Sequence, residues 1–353
     1  MLQLLHGLQK APAQHDYLLV AAQQPGLLEQ ATDLLKDPRF SLHLLAEKSS
    51  TRMWRERFTP RFAARNGVDL WHSHVQAIPI LLDRPKVATM HELSWMDTDE
   101  VGDEGWVSRR RALAWVVARA ADRIVCASEH TRNNFIALHP KASARTRVIQ
   151  HGVDPKFFAT KTSARQDLLH QLGLKADARL LLCVGRPFKR KGLPRAIRAF
   201  QAFINQQQCQ HFLVIAGVHN QQMAAALALA TELGIGPQVL APGHVPDETL
   251  VALYANADAL LVPSESEGFG LPILEAMAAG LPVVANNCTA IPEVAGDAAV
   301  LCSFESAQNT ATAIGEALRQ ADKLRAKGIA RAEEFPLAGP AHQLLALWEE
   351  LVS

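Results

Sequence analysis

The chain has 353 residues, and 36 Lys and Arg stand against 35 Asp and Glu for a net charge of +1, so no chain-wide positive field exists to hold nucleic acid or an anionic membrane. Apolar residues at 48% and charged residues at 20% exclude the disordered class, and the length suits two domains, each able to bury a core. Cys126, Cys183, Cys209, Cys288 and Cys302 lie far apart with no C-x-x-C pair, which argues against zinc or redox work and for free thiols in a reducing cytosol.

Along the chain, short β-branched or leucine-rich runs alternate with longer amphipathic stretches, the pattern of an α/β protein with parallel sheets. Met1 to Lys10 lacks a signal-peptide layout and reads as the end of a helix. Strands are predicted at Tyr17–Ala21, Phe40–Leu45, Asp69–His72, Val87–Met90, Arg123–Ala127 and Arg147–Gln150. The glycine and proline of His151-Gly152-Val153-Asp154-Pro155 close this half, and a polar stretch from Lys161 to Gln166 opens the next. A second set follows at Leu180–Val184, Phe212–Ala216, Gln238–Leu240, Ala259–Val262, Val283–Ala285 and Ala299–Leu301. The organisation is therefore two Rossmann-like domains, residues 1–153 and 154–335, facing a cleft, with a closing segment 336–353. Its helix, Gly339 to Leu351, has an apolar face of Leu344, Leu347, Trp348 and Leu351 set to dock on the protein. No apolar stretch reaches the roughly 18 residues of a membrane span, so a soluble, cytoplasmic protein is expected.

Ligands of doubly wound sheets bind at the carboxyl ends of the strands. The run Pro263-Ser264-Glu265-Ser266-Glu267-Gly268-Phe269-Gly270-Leu271-Pro272 follows such a strand end, with Pro272 placed as a first helical residue and Gly280 as the stop. Free N–H groups at Gly268 to Leu271 and the positive helix end make a site for a phosphate. Glu275 falls in the first turn, where the helix dipole alone would favour a carboxylate, and Glu267 in the loop before it. Earlier, Gly185-Arg186-Pro187-Phe188-Lys189-Arg190-Lys191-Gly192 ends the strand that opens the second half. Arg186 offers a bidentate fork for phosphate oxygens and Lys191 a compact point charge; the alternative is an exposed basic loop.

Three weaker signals lie in the first half. Arg52, Arg55, Arg57, Arg61 and Arg65 interleave with Trp54, Phe58 and Phe62, a pattern that would suit peripheral contact with an anionic lipid-linked acceptor; Pro60 breaks its helical spacing, which favours ordinary packing. His72 and His74 point the same way on an extended segment, without the further ligands a metal site needs. Asp97-Thr98-Asp99 matches a three-residue metal string, but it lies in an acidic loop.

Glu267 and Glu275, with Gly-Phe-Gly and Pro between them, resemble the E-x7-E signature of the retaining family 4 glycosyltransferases, which have the two-domain GT-B fold. Thr89-Met90-His91-Glu92-Leu93-Ser94-Trp95 resembles the family's T-x-H-D-L-S-W stretch, Ala127-Ser128-Glu129-His130-Thr131 its V-S-E-x-S segment, and Val148-Ile149-Gln150-His151-Gly152-Val153-Asp154 its V-I-x-N-G-V-D hinge. Gly185-Arg186 with Lys191-Gly192 resembles G-R-x4-K-G, Pro242-Gly243-His244-Val245 the G-x-V turn, and Ile291-Pro292-Glu293-Val294-Ala295-Gly296 the L-P-E-V-A-G turn. The resemblance implies a metal-independent hexosyl transfer with retention, of mannose or glucose type, from a nucleotide sugar to a glycan or lipid-linked acceptor, without a cofactor. It implies that Glu275 holds the ribose hydroxyls and that Glu267 and the Gly268, Phe269, Gly270 and Leu271 backbone face the donor sugar and phosphate. Arg186 and Lys191 would stabilise the departing diphosphate, Gly243, His244 and Val245 would border the base, and His91 would reach toward the transferred sugar. A catalytically impaired relative that binds a sugar nucleotide or a partner is the alternative. The family opens with a strand and a glycine-rich turn, whereas here Tyr17–Ala21 already reads as the second strand. The N-terminal domain is thus expected to lack its first strand, leaving the neighbours unpaired or pairing directly.

Overall fold

The computed structural model describes residues 2–11, 15–22, 31–45, 54–98, 104–158, 164–207 and 210–353. The chain divides into one unit of Met1–Leu93, Asp103–Gly152 and Leu337–Ser353, and a second of Ser94–Gly102 and Val153–Pro336. Arg52, Asp99 and Cys209 lie outside the described residues.

In the first unit the strands are β1 (Tyr17–Ala22), β2 (Phe40–Leu45), β3 (Trp71–Ser73), β4 (Lys86–Met90), β5 (Arg123–Cys126) and β6 (Thr146–Val148). They form two parallel sheets, β1-β2 and β3-β4-β5-β6. The two neighbours of the expected first strand, β1 and β3, therefore do not pair with each other. β3 starts two residues later than the sequence suggests because its ladder begins at Trp71 opposite Lys86; the residue before Lys86 is Pro85, which has no N–H to continue the pairing. β1 is half-exposed along its whole length, whereas β4 is buried from Val87 to Met90.

Two helices link these sheets. Leu2–Lys10 and Ala338–Val352 pack on each other, and Leu5, Leu8, Ala341 and Leu345 meet Phe40 of β2. On the other flank Leu344 and Leu347 pack with Val87, Val125 and Ile149, and both Leu4 and Trp348 touch each cluster. The Trp348 ring lies 6.2 Å from Tyr17 and 5.5 Å from His72. Tyr17 Oη, Trp348 Nε1 and His72 Nδ1 are buried without a hydrogen-bond partner among the described residues.

The second unit holds one parallel sheet, β12-β11-β10-β7-β8-β9, built from β7 (Arg179–Val184), β8 (His211–Ala216), β9 (Val239–Gly243), β10 (Ala259–Val262), β11 (Val283–Asn286) and β12 (Val300–Cys302). The order reverses direction at β7 and β10, which creates a crevice at the carboxyl ends of those two strands. Both are buried along nearly all of their length, as parallel strands covered on two faces require. β9 runs through Pro242 and Gly243, which the sequence places in a turn; as the edge strand it tolerates a proline. The helix Leu193–Gln207 turns Ile197, Phe200 and Phe203 into the core against Ile314 and Ala317 of Ala307–Arg319.

Among the described residues no helix is long and apolar enough to cross a membrane. At the basic stretch, Pro60 sits in the first turn of the helix Thr59–Arg65, Thr59 and Ala63 are buried, and Phe62 packs 4.7 Å from the His43 ring.

Phe200 has no exposed surface. Phe200→Ala is expected to lower stability by about 3–5 kcal/mol through lost transfer energy and an unfilled cavity, read as a lower midpoint at unchanged m-value in urea.

Candidate functional site

The site grows from the β7 and β10 carboxyl ends. After β7 the chain reaches Gly185 and Arg186, passes through a short turn at Lys189–Lys191 and enters the next helix through Gly192. Gly192 has φ +63, and a Cβ there would stand 2.4 Å from the Pro263 carbonyl oxygen. Only glycine lets the loop after β7 approach the loop after β10 this closely.

Across that contact lies Glu267. Lys191 Nζ donates to its Oε1 at 2.5 Å, Ser264 Oγ donates to the same oxygen at 2.7 Å, and Arg190 stands 3.9 Å from its Oε2. The Glu267 backbone N–H donates to Thr289 Oγ1 at 3.0 Å. Thr289 is the non-glycine residue among those described that holds a positive φ, +49, a strained conformation for a β-branched side chain. Arg186, Lys191, Ser264 and Glu267 line one pocket with Gly185 and Pro272. Arg186 is exposed, and Glu267 is 6% exposed.

The helix Leu271–Ala278 opens behind Gly270, whose φ of +110 turns the chain into its first turn. Pro272 is its second residue, so Glu275 lies one position beyond the first turn where the sequence reading placed it. The helix dipole does not account for this carboxylate: it is buried, and Tyr254 Oη donates to its Oε2 at 2.8 Å. Burial pushes the Glu275 carboxyl up, against the lowering effect of Tyr254 and the more distant Lys156. The Phe269 ring is buried, 6.0 Å from Phe335. Gly243 ends β9 with its carbonyl accepting from Gly217; His244 is exposed and Val245 half-buried.

His91 belongs to the first unit, beyond the end of β4. It stands in a row of rings: His72 lies 4.5 Å from His74, His74 lies 6.1 Å from His91, and His91 lies 5.6 Å from His151, all stacked. His72 Nε2 meets Thr89 Oγ1 at 2.8 Å. Burial is the largest cause that holds His74 down to about 4 and His151 down to about 3, and it lowers His91 as well. Such rings are neutral near pH 7 and offer one donor and one acceptor each. Among the described residues no group of three metal-ligating side chains is assembled.

The structure thus brings Arg186, Lys191 and Glu267 together at the switch point, with the Gly270 helix start beside them. Tyr254, Ser264, Thr289 and Arg190 were given no role by the sequence. The same signal existed for Thr289, Ser264 and Arg190, which follow the carboxyl ends of β11, β10 and β7; Tyr254 is placed by tertiary packing.

A family model described as Glycosyl transferases group 1 matches residues 164–335, and one described as Glycosyltransferase Family 4 matches residues 1–157. The D-inositol 3-phosphate glycosyltransferase of Nocardia farcinica is 30% identical over 80% of this chain and 67% of its own length. Its counterpart in Acidothermus cellulolyticus is 32% identical over 66% of this chain, which spans 54% of that relative. The O-antigen chain mannosyltransferase B of Escherichia coli is 28% identical over 75% of this chain and 70% of its own. Among solved structures, Anabaena HepE in complex with UDP-glucose aligns with a TM-score of 0.75 at 20% identity, over 95% of this chain and 100% of that one. Sucrose-phosphate synthase from Thermosynechococcus elongatus aligns with a TM-score of 0.73 at 20% identity, over 95% and 98%. These likenesses establish the fold as GT-B, with two parallel-sheet Rossmann-like domains.

The raised Glu275 carboxyl fixes a sign. A folded pKa above the unfolded value means the native state holds its proton more tightly, so stability is full below about 4.3, the unfolded range, and falls as pH rises through the folded value. Glu275→Gln keeps an acceptor for Tyr254 and removes the charge. Its thermal midpoint is expected to exceed that of the unsubstituted chain at pH 7, with the gap closing as pH falls to 4; a gap that widens on acidification would contradict the assignment.

Proposed function

Because the chain belongs to glycosyltransferase family 4, the glycosyl transferases group 1, we propose that it transfers a hexosyl group, with retention, from a nucleoside-diphosphate sugar to a hydroxyl of a glycan or lipid-linked acceptor. The observation that carries this reading is the convergence of Arg186, Lys191 and Glu267 on one pocket at the β7/β10 switch point, beside a glycine-led helix start. A diphosphate suits that place, because N–H groups at a helix start and two cations both favour oxyanions. UDP and UDP-glucose are the ligands named for HepE, which makes a uridine donor the first to test. Similarity to an O-antigen chain mannosyltransferase of Escherichia coli keeps a mannose donor beside it.

In this reading Glu275 accepts from the ribose hydroxyls, and Gly243, His244 and Val245 border the base. Lys191 exchanges part of its bond to Glu267 for a phosphate oxygen as the leaving group gains charge, and Arg186 supplies the second cation. Charge stabilisation confined to the transition state is what accelerates the step. Glu267 and the Gly268–Leu271 backbone face the donor sugar. His91, neutral and able to accept one hydrogen bond, serves the transferred sugar. The acceptor hydroxyl attacks on the face the nucleotide leaves, and no enzymic nucleophile is invoked, so orientation supplies the rest of the rate. We further propose the boundaries 1–153, 154–335 and 336–353 as acceptor-side domain, donor domain and closing helix.

A second reading, a sugar-nucleotide or partner-binding protein without transfer, draws on the separation of β1-β2 from β3-β4-β5-β6 in the first unit. A mixed panel of nucleotide sugars, with released nucleoside diphosphate as readout, separates the two. Transfer or donor hydrolysis supports the enzyme; binding seen by thermal shift without release supports the binder.

Glu275→Ala is expected to abolish nucleoside-diphosphate binding by calorimetry, and unchanged affinity would remove its assignment to the ribose. Lys191→Ala is expected to lower kcat by about 10²–10³, and a kcat within twofold of the unsubstituted chain would remove the leaving-group role.

A further inference from the structure

Directly before Glu267, two residues of a loop without regular structure are held on both main chain and side chain. The Glu265 N–H donates to the Arg190 carbonyl at 2.8 Å, and Arg190 Nη1 donates to the Ser266 carbonyl at 2.8 Å. The Glu265 carboxylate pairs with Arg195 at 2.8 Å and accepts from Thr98 Oγ1 at 3.1 Å. Ser266 is completely buried, and its hydroxyl donates to Asp97 Oδ2 at 2.7 Å. Asp97 and Thr98 come from the short helix Ser94–Asp97 and the residue after it, which group with the second unit although they lie more than 160 residues from Ser266 and Glu265 in sequence.

From this geometry we propose that Asp97 is a positioning residue for Glu267, acting through the Ser266 hydroxyl, with Thr98 on Glu265 as the second half of the same clasp. The inference rests on the donor-site reading of Glu267 given above. A buried hydroxyl that donates to a carboxylate makes a short, charge-assisted bond, and a group that must meet a reacting centre has to be held within about 0.5 Å by neighbours that are themselves fixed. Lys191 and Ser264 fix the Glu267 carboxylate, and Thr289 fixes its N–H. The clasp fixes the backbone that enters it. Asp97, one end of the Asp97-Thr98-Asp99 string, is committed to a serine hydroxyl.

The test compares Asp97→Ala, Asp97→Asn, Ser266→Ala and the Asp97→Ala/Ser266→Ala double variant in the full chain. Hydrogen exchange of the amides at 264–268 reads the clasp itself, without any reaction. Asp97→Ala is expected to raise exchange there at least tenfold, while Asp97→Asn, which keeps an acceptor oxygen, stays within about threefold of the unsubstituted chain. Unchanged exchange in Asp97→Ala overturns the proposal whatever the activity. With the donor that the panel identifies, Asp97→Ala and Ser266→Ala are each expected to lower kcat at least tenfold with donor KM within threefold, and the double variant to match either single one. Additive losses, or an Asp97→Asn as impaired as Asp97→Ala, overturn it. If the unsubstituted chain releases nucleotide from no donor, the transfer reading fails on its own and the exchange experiment still decides the clasp.

Discussion

The second unit is organised around one part-buried ion pair, Lys191 with Glu267. Lys191 stands at the end of the loop after β7 and Glu267 in the loop after β10, and they meet at 2.5 Å with side chains 18% and 8% exposed. Charges taken this far out of water hold their place only when geometry and further hydrogen bonds compensate the lost solvation. Ser264 and Arg190 supply part of that compensation. The pair therefore dictates its surroundings: Gly192 must be glycine so that the two loops can approach, and Thr289 is held in a left-handed conformation so that its hydroxyl reaches the Glu267 N–H. Strain of this kind persists where neighbouring structure over-determines it, and it gathers at functional sites.

The fold explains why the pair sits where it does. Parallel strands β7 and β10 are adjacent at the point where strand order reverses, and such a switch point leaves a crevice beyond their carboxyl ends. A helix start led by Gly270 opens on it, and a second carboxylate, Glu275, is set one turn deeper under Tyr254. One acid is thereby placed against cations, and the other is buried under a tyrosine hydroxyl, where burial pushes its carboxyl up.

Much of this was legible from the sequence. Strand identity came from hydrophobic runs, and every strand named there has a counterpart in the structure, with ends shifted by at most three residues. Glycine and proline marked the two loops, Gly185–Gly192 and Pro263–Pro272, that line the pocket, because they are local punctuation whose meaning survives without tertiary information. What the strings could not give was depth. Glu275 reads as a first-turn carboxylate when Pro272 is the first helical residue, whereas the helix opens one residue earlier and the side chain is buried. Tyr254 and Asp97 lie 21 and 169 residues from the atoms they bond, a separation that no periodicity records. The neighbours of the expected first strand could have paired or stayed apart, and hydrophobic patterning is identical in both cases; the structure keeps β1 and β3 in separate sheets, spanned by the helix Ala338–Val352.

The central claim is that the Lys191–Glu267 crevice takes the diphosphate of a nucleotide donor. It is tested most directly by an experimental structure of the chain soaked with uridine diphosphate. The account predicts phosphate oxygens within about 3.2 Å of Lys191 Nζ and of the Arg186 guanidinium, with the ribose on Glu275. A nucleotide bound away from the carboxyl ends of β7 and β10, with Lys191 and Arg186 untouched, would contradict it.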